Sequence, residues 1–193
     1  MLSSVLRIHE GLASTRRVSI ATPQTKPGVW ELGALLTIGV SAGLALSYAK
    51  LNLGIPGHVI LLNFAPLAFG LGLVPRRGAG TAMSVTAAAT MAIAAHTGVG
   101  AIAGMLMTGV FLDLALAKAK SGWPLYAAFV VAGLGGNAAA FAARAIAKLG
   151  GVEPGLVPFS MWWSHALVSY ALCGALTGLA SALLWFSFRK RSA

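Results

Sequence analysis

The sequence predicts an all-α membrane protein, a bundle of six transmembrane helices with both chain ends in the cytoplasm. Three observations carry this. Of 193 residues, 58% are hydrophobic and 9% charged, where an ordinary soluble domain has about 25% charged. The four acidic residues, Glu10, Glu31, Asp113 and Glu153, are too few to solvate a globule of this size, so the apolar surface must face lipid. Six apolar runs follow one another with short, Gly/Pro-marked breaks, and each approaches the roughly 20 residues that cross a hydrocarbon core of about 30 Å.

Residues 1–29 are Ser/Thr-rich and basic and read as a cytoplasmic arm. Leu2, Val5, Leu6 and Leu12 could form one face of a short helix lying on the membrane surface. No apolar core of signal-peptide length precedes residue 30, so a cleaved signal is not expected. The membrane domain, residues 30–188, divides into spans at 30–49, 58–74, 78–95, 98–117, 125–148 and 161–188, and residues 189–193 form a basic cytoplasmic tail. Gly54-Ile55-Pro56-Gly57 breaks the chain before the second span and Pro75 ends it. Pro66, inside that span, should bend it. The third span is rich in Ala and Thr and poor in large side chains, so it is expected to be the one buried among the others. Little but His96-Thr97 separates it from the fourth, and these two should form a tight antiparallel pair. Trp123-Pro124 opens the fifth span, and Glu153-Pro154-Gly155 with Pro158 precedes the sixth. Trp30, Trp123, Trp162, Trp163 and Trp185 fall near span ends, where indoles favour the interface.

Charge sets the orientation. The net charge of +10 is not spread over a polar face, as nucleic-acid binding would need. It is gathered in short clusters between apolar runs. With the N-terminus inside, Arg7, Arg16, Arg17, Lys26, Arg76, Arg77, Lys118, Lys120, Arg189, Lys190 and Arg191 lie inside, and Lys50, Arg144 and Lys148 outside. That is a strong positive-inside bias. It places the connections 50–57, 96–97 and 149–160 outside and predicts a multi-pass protein of a bacterial-type inner (plasma) membrane. Small residues four apart, at Gly39/Gly43, Ala45/Ala49, Gly100/Gly104, Ala132/Gly136 and Gly174/Gly178, let helix backbones approach closely and predict a compact bundle.

Ionisable and polar groups at membrane depth are costly, and so are candidates for function. On this topology His58, His96 and His165 all fall at the outer end, with Asn52, Asn63, Trp162 and Trp163 on the same side or within about two turns of it. Together with mid-span Asn137 they make the candidate solute-binding set. Neutral imidazoles bind nickel, cobalt, copper or zinc, which makes His58, His96 and His165 the candidate metal ligands. They also hydrogen-bond carbonyl or carboxylate groups, and the indoles could stack on a ring. The plainer alternatives are interfacial histidines that never meet, and for Asn137 an interhelical hydrogen bond. Asp113, near the inner face, has Lys118 as its expected local partner. The single cysteine, Cys173, excludes an intrachain disulfide and reads as a buried free thiol. No Gly-x-Ser-x-Gly, His-Glu-x-x-His or P-loop motif is present, so the chain is expected not to be an enzyme and to carry no intrinsic cofactor.

Two stretches carry a family resemblance. Leu51-Asn52-Leu53-Gly54-Ile55-Pro56-Gly57-His58, followed by an apolar span containing Pro66 and then a small-residue span, resembles the substrate-binding membrane subunits (S components) of energy-coupling-factor importers, nearest the cobalt/nickel type. In the last span His165-Ala166-Leu167-Val168, then Gly174-Ala175-Leu176-Thr177-Gly178, is similar to that family's His-Ala-Leu-Ile-Gly…Thr-Gly stretch. The resemblance implies six spans, an outward pocket, and docking to a scaffold membrane subunit driven by two ATPase subunits through small-residue faces, for which Gly39, Gly43, Ala45 and Ala49 are the candidates. The cobalt/nickel members begin Met-His-Ile and bind metal with that terminus. Here a 29-residue arm stands before the first span, and only His58 has a counterpart among those ligands.

The expected function is therefore capture of a small solute, a vitamin-like molecule or a transition-metal ion, at the outer face of the bilayer for such an importer. The alternative is a non-transport subunit that holds haem or a redox metal through the outer-end histidines, or that scaffolds a membrane complex.

Overall fold

A computed structural model describes residues 28–48, 57–74, 76–94, 98–118, 123–151 and 158–191. Asn52, His96 and Ala49 lie outside the described residues, as do the side chains of Lys118 and Trp185. The apolar runs fold into six helices: α1 (Val29–Tyr48), α2 (Ile60–Leu73), α3 (Ala79–Ile93), α4 (Val99–Lys118), α5 (Trp123–Leu149) and α6 (Phe159–Arg191). These fall within three residues of the expected limits at each end, and the described residues contain no strand. Helix is what such runs must form in lipid, where the backbone has no water to bond and each segment must satisfy its own N–H and C=O groups.

The fold is that of a multi-pass α-helical membrane protein. Val29–Tyr48, Val99–Ala117, Pro124–Leu149 and Phe159–Leu183 are long and apolar enough to cross a bilayer. On α1 and α6 the large apolar side chains Leu32, Leu36, Val40, Leu44, Leu172 and Leu176 are exposed, as expected of a surface that contacts lipid. Helices α2 and α3 are shorter, 14 and 15 residues, or about 21 and 22 Å at 1.5 Å per residue.

Five helices are stitched in the order α1–α3–α4–α5–α6, and each seam is made where a small residue admits a neighbouring backbone. A Cβ on Gly39 or Gly43 would stand 2.7 Å from Met83 O or 2.6 Å from Ala87 O, so α1 lies tight on α3. Gly80 and Gly109 bring α3 against α4, Gly104 and Gly136 bring α4 against α5, and Gly133, Gly174 and Gly178 bring α5 against α6. With lipid as apolar as leucine, such packing rather than water exclusion holds helices together. The expected pairing of the third and fourth spans is found, with Gly80 near Asp113 and Ser84 near Gly109 giving the antiparallel sense.

Helix α2 touches all five others. The small-residue third span, expected to be buried among the others, is no more enclosed than the second. Both helices have a buried side, Ile60, Phe64 and Leu67 on α2 and Met83, Ala87 and Met91 on α3, and an exposed side, Leu61, Phe69 and Leu73 on α2 and Val85 and Ile93 on α3. Small residues on α3 serve close contact with two neighbours rather than enclosure by all.

The contacts define two ends of the bundle. At one, Glu31 at the start of α1 bonds Arg76 in the α2–α3 turn, and Asp113 near the end of α4 bonds the start of α3. At the other, Lys148 near the end of α5 lies over Trp162 near the start of α6. We call these the carboxylate end and the aromatic end.

Candidate functional site

At the aromatic end the chain enters the bundle before α2 begins. Gly57 is buried and takes φ +83°, a left-handed conformation that costs a side-chain-bearing residue steric strain. Its neighbours leave no room either, since a Cβ there would lie 3.0 Å from Tyr170 Cα. Tyr170 is eleven residues into α6, and Asn137 is twelve residues from the end of α5. Non-helical backbone at Gly57 therefore sits about 16 Å below the aromatic end.

Asn137 holds that backbone. Its side-chain amide donates to Tyr170 O at 2.7 Å and to Gly57 O at 3.3 Å, while the residue is 2% exposed. Gly57 O otherwise accepts a long turn bond from Ile60 N at 3.4 Å, and the Asn137 amide adds a donor there, its two N–H groups serving two segments. The interhelical bond expected of Asn137 is present, and it reaches the entry to α2 as well.

Above this point lies an aromatic cluster. Phe141 stacks on Trp162 with centroids 5.5 Å apart and an interplanar angle of 8°. It also meets Tyr170 edge-on at 5.6 Å. Lys148 Nζ lies 5.3 Å from the Trp162 ring centroid, a cation–π distance. Trp162, expected to offer its ring to a ligand, is thus engaged within the chain by Phe141 and Lys148.

Other candidates spread apart. His58 adjoins Gly57 and is half-buried, whereas Trp163 and His165 are on the exposed side of α6. Asn63 is 3% exposed, and its Oδ1 has no hydrogen-bond partner. It shares a stripe of α2 with Gly70 seven residues on, and Gly70 lies against Met83 and Ile38, so Asn63 belongs to the α1–α2–α3 side rather than to Asn137. Among the described residues no three His, Cys, Asp or Glu side chains gather as a metal would need. Gly39 and Gly43, candidates for partner docking, are occupied by α3, while Ala45 is exposed.

Sequence reasoning passed over Gly57 as more than a helix breaker, and over Tyr170, Phe141 and Lys148. A two-donor amide in mid-span was the available signal that some carbonyl at that depth lacked a helical partner.

The arrangement is non-helical backbone buried inside a helical bundle and bonded by a side-chain amide. Comparison of the chain with family models, with characterised proteins and with solved structures gives no match.

Proposed function

We propose that this protein is a membrane-embedded capture subunit that binds a small solute at the aromatic end. The solute is a vitamin-like molecule or a transition-metal ion, and it passes to a coupling partner. The observation that carries this is the buried, non-helical Gly57 held by Asn137. In a bilayer such backbone persists only where it is enclosed by protein or lines an aqueous cavity. Helices that begin at membrane depth are also where transporters hold their cargo.

In this reading all six helices cross the bilayer, α2 and α3 with the help of their flanking segments. The Lys/Arg distribution turns the carboxylate end to the cytoplasm and the aromatic end outward. The resemblance of the segment around Gly57-His58 to energy-coupling-factor S components supports the same arrangement. The partners are then a scaffold membrane subunit and two ATPase subunits. With Gly39 and Gly43 engaged by α3, the exposed side of α1 that carries Ala45 is the docking face.

The test is mass spectrometry of small molecules and metals retained by detergent-purified protein, with His58→Ala alongside. Retention of one solute by the parent and its loss from His58→Ala supports the reading. Equal retention by both proteins removes His58 from the site, and a retained haem with its visible absorption band replaces capture with a redox role.

A further inference from the structure

We propose that the solute taken up at the aromatic end is an organic anion, a molecule with a carboxylate or phosphate group on an apolar, planar body, and not a metal cation. The inference rests on the capture role proposed above and narrows it to one substrate class.

Helix α5 carries two different stripes. Val131, Leu134, Ile146 and Leu149 are exposed along one, at the helical spacing of a lipid-facing edge. Asn137, Phe141, Arg144 and Lys148, at steps of four, three and four, share another. On that side Gly133, Asn137 and Ala140 are buried. Arg144 follows one turn beyond Ala140, with its Cβ 3.5 Å from where a Cβ on Gly100 of α4 would stand. Arg144 is exposed and Lys148 half-buried. At 1.5 Å per residue they stand about 10 and 16 Å above Asn137 along the helix. Cations on the lipid-facing stripe would be interface anchors. These two continue the inward stripe that leads down to Gly57.

Between the cations and Gly57 lies the aromatic cluster. Trp162 stacks on Phe141, Tyr170 meets Phe141 edge-on, and Lys148 Nζ lies 5.3 Å from the Trp162 ring centroid. No carboxylate among the described residues pairs with Lys148. The ring therefore holds the ammonium at the mouth without neutralising it. Its N–H donors remain for an oxyanion, and charge-assisted bonds of that kind are the strong ones. The rings beside it offer an apolar surface to a planar body.

The distribution of charge argues against a metal. Both described carboxylates, Glu31 and Asp113, lie at the carboxylate end and are bonded there, to Arg76 and to Thr81. The ionised side chains described at the aromatic end, Arg144 and Lys148, are both positive. A divalent cation entering there meets like charge, with no carboxylate among the described residues to offset it. An anion meets attraction along the whole approach, which also speeds its encounter with the site.

Each part of the stripe then has one task. The side chains of Arg144 and Lys148, one helical turn apart, are near enough to meet one oxyanion. Asn137 has its amide engaged by Tyr170 O and Gly57 O, so it closes the floor and leaves the anion to the cations. Discrimination against a neutral molecule of the same shape therefore resides at Arg144 and Lys148.

Isothermal titration calorimetry on the full-length protein in phosphatidylcholine nanodiscs tests this. The probes are a matched pair, 2-naphthoate and its neutral amide 2-naphthamide, together with nickel ion. Mass spectrometry of molecules retained by the purified protein runs in parallel. Naphthoate should bind more tightly than naphthamide by about two- to fivefold for each cation, as for partly exposed charge pairs, and the retained solute should carry a carboxylate or phosphate. Lys148→Gln should lower the preference for naphthoate by about two- to fivefold, Lys148→Arg should restore it, and added salt should weaken it. Equal affinity for the two naphthyl probes, or a preference unchanged in Lys148→Gln, overturns the anion class. Retention of a transition metal, or binding of nickel with neither naphthyl probe, also overturns it but leaves capture standing. A parent that retains no solute and binds no probe loses the capture role, and this inference falls with it.

Discussion

Asn137→Asp replaces a two-donor amide with a carboxylate of nearly the same shape, and the structure says what that should cost. Two buried hydrogen bonds are lost, to Tyr170 O at 2.7 Å and Gly57 O at 3.3 Å. Mutational series put such bonds at about 1 kcal/mol each, and a buried carbonyl left without a donor at about 1–3 kcal/mol. Membrane proteins lie lower, at about 0.6 kcal/mol per interhelical bond and up to about 1.7. Tyr170 O belongs to a helix and Gly57 O also accepts a long turn bond from Ile60 N at 3.4 Å, so the cost is chiefly that of the two bonds themselves. Removal of the amide by Asn137→Ala should therefore cost about 2 kcal/mol. Asn137→Asp should cost more, because it also sets an acceptor against two acceptors. Unfolding in detergent–SDS mixtures, followed by tryptophan fluorescence, reads both values. Were Asn137→Asp as stable as the parent, the amide would not be the donor that holds Gly57, and the account of the buried entry to α2 would fail.

Two further outcomes follow from the backbone. Gly43→Val places branched methyls against Ala87 O and the Thr90 side chain, where even a Cβ would stand at 2.6 and 2.7 Å. It should lower stability in the same assay by about 1–3 kcal/mol, and no loss would mean that α1 does not pack on α3 there. Gly57→Ala and Gly78→Ala impose the same left-handed strain, about 1–2 kcal/mol, but only Gly57 also faces Tyr170 at 3.0 Å. Gly57→Ala should be the more damaging of the two in thermal unfolding, and equal midpoints would contradict the tight site at Gly57.

The helices were legible because a bilayer leaves the chain little choice. Length, hydropathy and Gly/Pro breaks placed all six to within a few residues. The small-residue spacings were legible as packing signals, but the pattern of a lone helix does not say which neighbour it serves. That is why Gly39 and Gly43 turned out to seat α3 rather than lie open to a partner. Asp113 shows the same limit in chemical form. Its carboxylate bonds backbone N–H groups more than thirty residues earlier, a contact to which Lys118, its nearest cation in sequence, gave no pointer. A helix beginning Gly78-Ala79-Gly80, with no Ser, Asp or Asn at its N-cap position, was the clue that a cap had to come from elsewhere. The indoles were read as ligand-stacking groups, but Phe141 and Lys148, one helix away, engage Trp162 first. Helix α3 is no more enclosed than α2, because its small residues serve close contact with α1 and α4 and leave Val85 and Ile93 exposed.

The central claim is that the chain enters the bundle at Gly57-His58 from the face away from the cytoplasm. Its most direct test is His58→Cys in a Cys173→Ser background, treated with a membrane-impermeant maleimide in intact cells and in inverted membrane vesicles. The account predicts labelling of residue 58 in intact cells and none in inverted vesicles. Labelling only in inverted vesicles would place this entrance at the cytoplasmic face and contradict it.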